Sequence, residues 1–234
     1  MISQGAFAPC FIWGGKMPEA SATGSRGPVR IAVFVDFWNF QLSLNEREAR
    51  QQGVSDRRFK VNWKDLGPWL AEKAHALLKD PSPHSFEGVI VYASYDPAKE
   101  EGRGFHRWAT TWLNRQPGVR VECRERKPKA FPKCPACHRE ISRCPHCEES
   151  IHGTIEKGVD TLIVTDMIRL AWEDAYDVAV LASSDADLAP AVEFLRLKGR
   201  KVIQAGFPPL GTTLATTCWA SFDVFRDREE IRRP

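Results

Sequence analysis

The acidic residues of this chain stand where a cation-dependent reaction would need them. "IAVFVDFWNF", residues 31–40, runs an apolar stretch into Asp36 and reaches Asn39 three positions later. A carboxylate at the mouth of a buried strand is costly unless something cationic sits against it. "EKGVD" ends in Asp160, and "LASSDAD" carries Asp185 and Asp187. Carboxylates packed together repel and raise one another's pKa. A hard divalent cation such as Mg²⁺ resolves that conflict, because it takes oxygen ligands from one or two carboxylates and completes its shell with water and substrate phosphate. Asn39 would orient a carboxylate or hold a ligand through its amide. Taken singly, each aspartate also reads as a helix cap or turn former. Asp187 would cap the helix beginning near Leu188, and Asp96, before Pro97, reads as a turn residue. Asp166 lies about 9 Å along its helix from Asp160, at 1.5 Å per residue, and reads as structural.

Sulfur supplies a second constellation. "CPACHREISRCPHC" places Cys134, Cys137, Cys144 and Cys147 as C-x2-C-x6-C-x2-C. Four thiolates form the tetrahedral site that Zn²⁺ favours and leave no position open for catalysis, so the expected zinc is structural. Free thiols or a redox pair are the alternative; the short six-residue gap also brings His138, His146 and His152 into range of a sulfur's place, but four cysteines make that unnecessary. Cys10, Cys123 and Cys218 stand apart and read as small apolar residues. From Arg120 to Arg143 eight Lys or Arg face three Glu. That excess suits a phosphate backbone, with Arg124, Arg126, Lys127, Lys129 and Lys133 as contacts, joined by Lys157. Trp38 is the candidate for base stacking. The same segment also reads as a solvated or protein-docking loop, Lys157 as merely solvated, and Trp38 as core.

Elements of two kinds must hold these groups. "VRIAVFVD", "GVIVYASY", "VRVECRERK", "YDVAVLASSD" and "KVIQAGF" read as strands. Between them lie helical stretches: Phe37 to about Gln51, "WKDLGPWLAEKAHALLKD" with Pro68 in its first turn, and "EGRGFHRWATTWLNRQ" after its glycines. Trp108 and Trp112 read as core at their i, i+4 spacing. "KGVDTLIVTDMIRLAWE", apolar nearly all round, reads as a buried helix, "ADLAPAVEFLRLKG" as a helix capped by Gly199, and "TTLATTCWASFDVF" as a short helix with an edge strand. No internal repeat is evident. Continuous apolar strands alternating with helices predict an α/β fold, a three-layer sandwich on a mainly parallel sheet of five to six strands. Ligands of such sheets gather beyond the carboxyl ends of the strands, the edge on which Asp36, Asp160 and Asp185 would converge.

The chain's 234 residues, 43% of them hydrophobic, suffice for one substantial domain with an appendage. Residues 1–28 read as a flexible leader in which Met17 is a candidate start, 29–226 as the domain, 131–150 as its zinc-ribbon-like insert and 227–234 as a tail. Seven cysteines without a secretory signal favour a reducing, cytoplasmic setting. No apolar run approaches a membrane span. The net charge of +3 names no partner.

"VFVDFWNF" and "EKGVDTLIVTDMIRLAWEDAYDVAVLASSDADLAPAVEFLRLKGRKVIQAG" resemble the NYN domain, the LabA-like branch of the PIN-like nucleases. The resemblance covers roughly residues 29 to 226. It rests on a D-x-x-N element and an S-x-D-x-D element in the right order. It implies a PIN-like fold in which acidic residues bind Mg²⁺ or Mn²⁺ for RNA cleavage. By position the implied metal site is Asp36, Asp160 and Asp185, with Asn39 and Asp187 supporting it. One departure is Ser184, which stands where the family's turn carries glycine. The expectation is a metal-dependent ribonuclease leaving a 5′-phosphate and a 3′-hydroxyl. The alternative is a non-catalytic module binding RNA or protein on the same fold. Either is compatible with a homo-oligomer.

Overall fold

Strand β1, Val29–Asp36, shows how the layers arise. Ile31, Val33 and Val35 enter one apolar cluster, Ala32 and Phe34 another, because successive side chains on a strand point to opposite faces. A computed structural model describes residues 27–151 and 153–234. Almost all of the expected leader, with Cys10 and Met17, lies outside the described residues, as does His152.

Six strands form the central sheet: β1, β2 (His84–Tyr95), β3 (Val119–Glu125), β6 (Val178–Ala182), β7 (Lys201–Gly206) and β8 (Ala220–Asp223). Their order is β3-β2-β1-β6-β7-β8, and every adjacent pair is parallel. Helices α1 (Phe37–Gln52), α2 (Leu66–Leu78) and α3 (Glu100–Thr111) contribute to the first cluster; α4 (Val159–Trp172), α5 (Ala189–Leu197) and α6 (Thr212–Thr217) contribute to the second. This is the expected three-layer α/β architecture with six strands. The chain winds outward from β1 to β3 and then returns to lay β6 against the other side of β1. The order therefore reverses between β1 and β6, which opens a crevice at their carboxyl ends. Among the described residues no helix is long and apolar enough to cross a membrane.

Three expectations are corrected. Helix α4 is not buried all round: Val159, Ile163 and Met167 are covered, but Trp172 is 75% exposed, because the neighbouring layer covers only one face of the helix. Helix α3 begins at Glu100, ahead of its glycines. A Cβ on Gly102 would lie 2.1 Å from the Asp96 carbonyl oxygen, so glycine permits a close approach and does not delay the helix. Trp112 is 43% exposed and stacks on half-buried Trp108 at 5.8 Å instead of entering the core.

Residues 227–234 pack back on the domain. Ile231 is buried, and Arg228 and Arg232 reach Glu48 of α1 at 2.7 and 3.0 Å. The two guanidiniums outweigh the burial of Glu48 and hold its carboxyl below the usual range. We expect Glu48→Ala to lower stability by about 3 kcal/mol in chemical denaturation, the lower end for a broken buried ion pair because both arginines still reach water. An unchanged midpoint would mean that the Glu48 ion pairs contribute nothing.

The cysteine insert rises from the end of β3. Its base is a two-stranded antiparallel ladder, β4 (Lys127–Pro128) with β5 (Thr154–Ile155), continued by the Lys129 amide donating to the Gly153 carbonyl at 2.8 Å. Above the base the insert is a ten-residue repeat, contrary to the expectation of none. Cys134 N–H bonds the Arg139 carbonyl as Cys144 N–H bonds that of Glu149. His138 N–H closes on the Cys134 carbonyl as Glu148 N–H closes on that of Cys144, and Ile141 and Ile151 return to Pro132 and Ser142. His138 and Glu148 hold the matching positive φ angles, 58° and 60°. The repeat escapes a residue-by-residue reading because it lies in hydrogen bonding and turn shape, with little identity beyond Cys-Pro-x-Cys.

Candidate active site

Asp36 ends β1 and caps α1, its Oδ1 accepting the Asn39 backbone N–H at 3.2 Å. Cap and ligand are thus compatible, since one oxygen makes the cap while the other faces β6. Ser183 Oγ, buried just beyond β6, lies 3.4 Å from Asp36 Oδ2 and accepts the Asp185 N–H at 3.1 Å. Asn39 spans the crevice: its Oδ1 accepts the Ser184 N–H at 2.8 Å. The amide therefore ties the first helix to the turn carrying Asp185.

That turn does not need the glycine expected of it. Ser184 is not among the residues at positive φ. The close approach is made from the other side, where Gly211 (φ +71°) has no room for a Cβ, which would lie 2.7 Å from Ser184 Cα. Among the described residues nothing hydrogen-bonds the buried Ser184 hydroxyl. Gln204 Nε2 steadies the neighbouring Ser183 carbonyl at 2.9 Å.

Asp185 Oδ1 accepts the Asp187 N–H at 2.9 Å, so Asp185, not Asp187, caps the turn leading into α5. Asp160 lies in the first turn of α4. Burial pushes the Asp36 carboxyl up to about 7, and the charges of Glu156, Asp160 and Asp185 add to it against the Asn39 N–H. The Asp160 carboxyl is likewise raised, by partial loss of water and by Asp185, Glu156 and Asp187. The five acids thus share one electrostatic neighbourhood. Among the described residues no Lys or Arg pairs with Asp36, Asp160, Asp185 or Asp187.

Glu156 escaped the sequence reading. It follows β5 directly, at the foot of the insert, and its carboxylate accepts from Ser94 Oγ. The signal available was its place four residues before Asp160, on the stretch returning to the same sheet edge. Arg126 joins it: its Nε donates to Ser94 Oγ at 2.9 Å, and its guanidinium lies 3.8 Å from Glu156 and 5.6 Å from the Trp38 ring centroid. The other expected cations are dispersed. Arg124, Lys127, Lys129 and Lys157 are exposed, and Lys133 faces Glu140 at 3.9 Å within the insert. Trp38 is committed to packing, its Nε1 donating to the Ser94 carbonyl at 2.6 Å and its ring 4.9 Å from those of Phe37 and Phe105. Asp96 caps its own turn at the Ala98 amide. Asp166 bonds Tyr92 and Arg120 at 3.0 and 3.2 Å, a buried structural network.

In the insert, Cys134 meets Cys137 and Cys144 meets Cys147, and backbone N–H groups of each turn hold the Cys134 and Cys144 thiols below the ordinary range. Among the described residues no three His, Cys, Asp or Glu side chains close into a metal-holding group, either here or at the acidic crevice. Cys218 is buried and Cys123 half-buried, as small apolar residues would be.

The NYN domain model matches residues 30–220. No curated protein matches the chain. A solved structure of a protein of unknown function from Vibrio parahaemolyticus is 19% identical with a TM-score of 0.48, covering 86% of this chain and 97% of that one. The arabinose-binding protein AraP from Geobacillus stearothermophilus is 13% identical with a TM-score of 0.24, covering 80% of this chain and 77% of its own.

Proposed function

We propose, from the premise that this chain belongs to the NYN domain family and has its nuclease-like fold, that it is a ribonuclease dependent on Mg²⁺ or Mn²⁺. The observation that carries this reading is a set of carboxylates at the sheet's switch point with one buried member and, for four of the five, no cationic partner among the described residues. A buried carboxylate is costly unless it is paired or holds its proton, and a cluster of carboxyls perturbed in this way marks a site that a cation would relieve. The donors are all oxygen and fit a hard divalent cation, with Asp36, Asp160, Asp185 and Asp187 as holders and Glu156 added to them. A cation there would neutralise the scissile phosphate and favour attack by water in line with the departing oxygen.

The chain's own groups do the rest. Asn39 keeps the Asp185 turn against α1, and Ser183 shares its hydroxyl between Asp36 and the Asp185 amide. Arg126 stands beside Glu156, placed to contact a phosphate of the strand, with Lys127, Lys129 and Lys157 nearby in sequence. The four cysteines of the repeat fit one Zn²⁺ in composition, each Cys-Pro-x-Cys turn supplying two sulfurs and N–H groups that stabilise thiolate. The zinc would stiffen the flap over residues 131–150 of a domain spanning 29–226.

Labelled single-stranded RNA incubated with Mg²⁺ or Mn²⁺ should be cut to 5′-phosphate products, and chelator should abolish cutting. Asp185→Asn should slow it about 100-fold or more. RNA that survives every divalent cation yet binds the protein would favour the non-catalytic module instead.

A further inference from the structure

Phe37 follows Asp36 directly, its Cα about 3.8 Å on, and lines a groove of about 470 Å³ that the acidic site does not use. Its floor is aromatic. Phe37 stacks on Trp63 at 4.6 Å and 22°, and Phe105 lies 4.7 Å from Phe37 and 5.8 Å from half-buried Trp108. Its rim is cationic: Arg58, Lys60 and Arg233 stand against the single acid Glu101.

These cations are brought together from far apart in the chain. The Arg233 N–H donates to the Lys60 carbonyl and the Asn62 N–H to that of Ile231, both at 2.8 Å, with Val61 bridged to Arg232 between them. Arg232 is neutralised by Glu48 and Glu229. The side chains of Arg58, Lys60 and Arg233 are exposed and form no ion pair with any described residue. Surface lysines and arginines commonly intermix with acids; three unmatched ones around an aromatic floor complement a flat ring joined to an anion.

We propose that this groove is a nucleotide subsite, taking one unpaired base of a single-stranded RNA against Phe105 and Trp108 and its flanking phosphates against Arg58, Lys60 and Arg233. The groove's volume suits a unit of that size. It rests on the reading of the acidic crevice as an RNA-cutting site, since Phe37 joins the two. The bound base sets the register in which the neighbouring phosphate meets Asp36. A base must leave its stack to enter, so the groove selects single strands over duplex.

The test is fluorescence anisotropy of a short fluorescein-labelled oligouridylate with Asp36→Asn protein in chelator, where nothing is cut. Combined Arg58→Ala, Lys60→Ala and Arg233→Ala should weaken binding at least about 10-fold and flatten the salt dependence by about two units of slope, three phosphates at 0.7 each. Oligouridylate should quench tryptophan fluorescence, and Trp108→Leu should remove much of that quenching while circular dichroism stays unchanged. Unaltered affinity and salt slope in the triple variant overturn the proposal, as does equal binding of a matched duplex; a groove that instead captures a peptide gives that same negative result. The two readings separate cleanly. Binding that depends on the three cations, together with wild-type protein that never cuts, leaves the subsite standing and removes the nuclease. Cutting that needs Asp36 but ignores the three cations does the reverse.

Discussion

Asp36→Asn will cut labelled RNA about 10²- to 10³-fold more slowly than wild type, and will make the cation-free protein more stable. The second half is the sharper test. In the folded chain the Asp36 carboxyl is raised from 3.8 to about 7, chiefly by burial, then by Glu156, Asp160 and Asp185. Between those values the folded state holds a proton that the unfolded chain has released, so the carboxyl's contribution falls as pH rises through that window. The loss is on the order of 4 kcal/mol at most, from about three units at 1.36 kcal/mol each. Wild type in chelator should therefore melt progressively lower from about pH 4 to about pH 7, and Asp36→Asn should show a flatter profile. Added Mg²⁺ or Mn²⁺ should raise the wild-type Tm near pH 8 through binding to the native state alone, and raise that of the variant little. Equal RNA degradation by the two proteins would point to a contaminant; parallel pH profiles would show that the carboxyl carries no such strain.

Replacing Cys134 and Cys144 together by Ser should cost about one zinc per chain by metal analysis and slow cleavage about 10- to 100-fold, the usual effect of loosening groups behind a metal site. The route is structural. The flap's base is a ladder of only two residue pairs, too short to be stable alone, and Glu156 follows it immediately. A flap without its metal would let Glu156 and Arg126 drift from Ser94, which binds both. The main sheet shares no strand with the flap, so the Tm of the α/β core should move little. Loss of zinc with full activity would separate flap from site, and global unfolding would make the flap part of the core.

Much of this was legible in the residues because it depends on local periodicity. The β1 run, buried on both faces, and the helices after it are written in apolar spacing, and the alternation of the two implies a parallel sheet with its ligands at one edge. Asp36, Asp160 and Asp185 followed from that edge. Asp187 reads as a cap in the sequence where Asp185 makes it, because two acids two residues apart look alike until the turn is closed. The failures at α3 and α4 share a cause. Gly102 looked like a helix breaker, and the apolar surround of α4 looked like full burial, because how near another segment passes is not encoded in the segment itself.

The alternating α/β order, the acids at strand ends and the Cys-Pro-x-Cys pairs are written in residue type and spacing over a dozen positions. That Glu156 joins the acids, that Trp38 is spent on the Ser94 carbonyl, and that Lys60 and Arg233 meet over an aromatic groove emerges from packing between distant segments. Those pairings join segments up to about 170 residues apart, and contacts across such a separation are chosen by which faces can bury apolar surface together, a property of the whole chain.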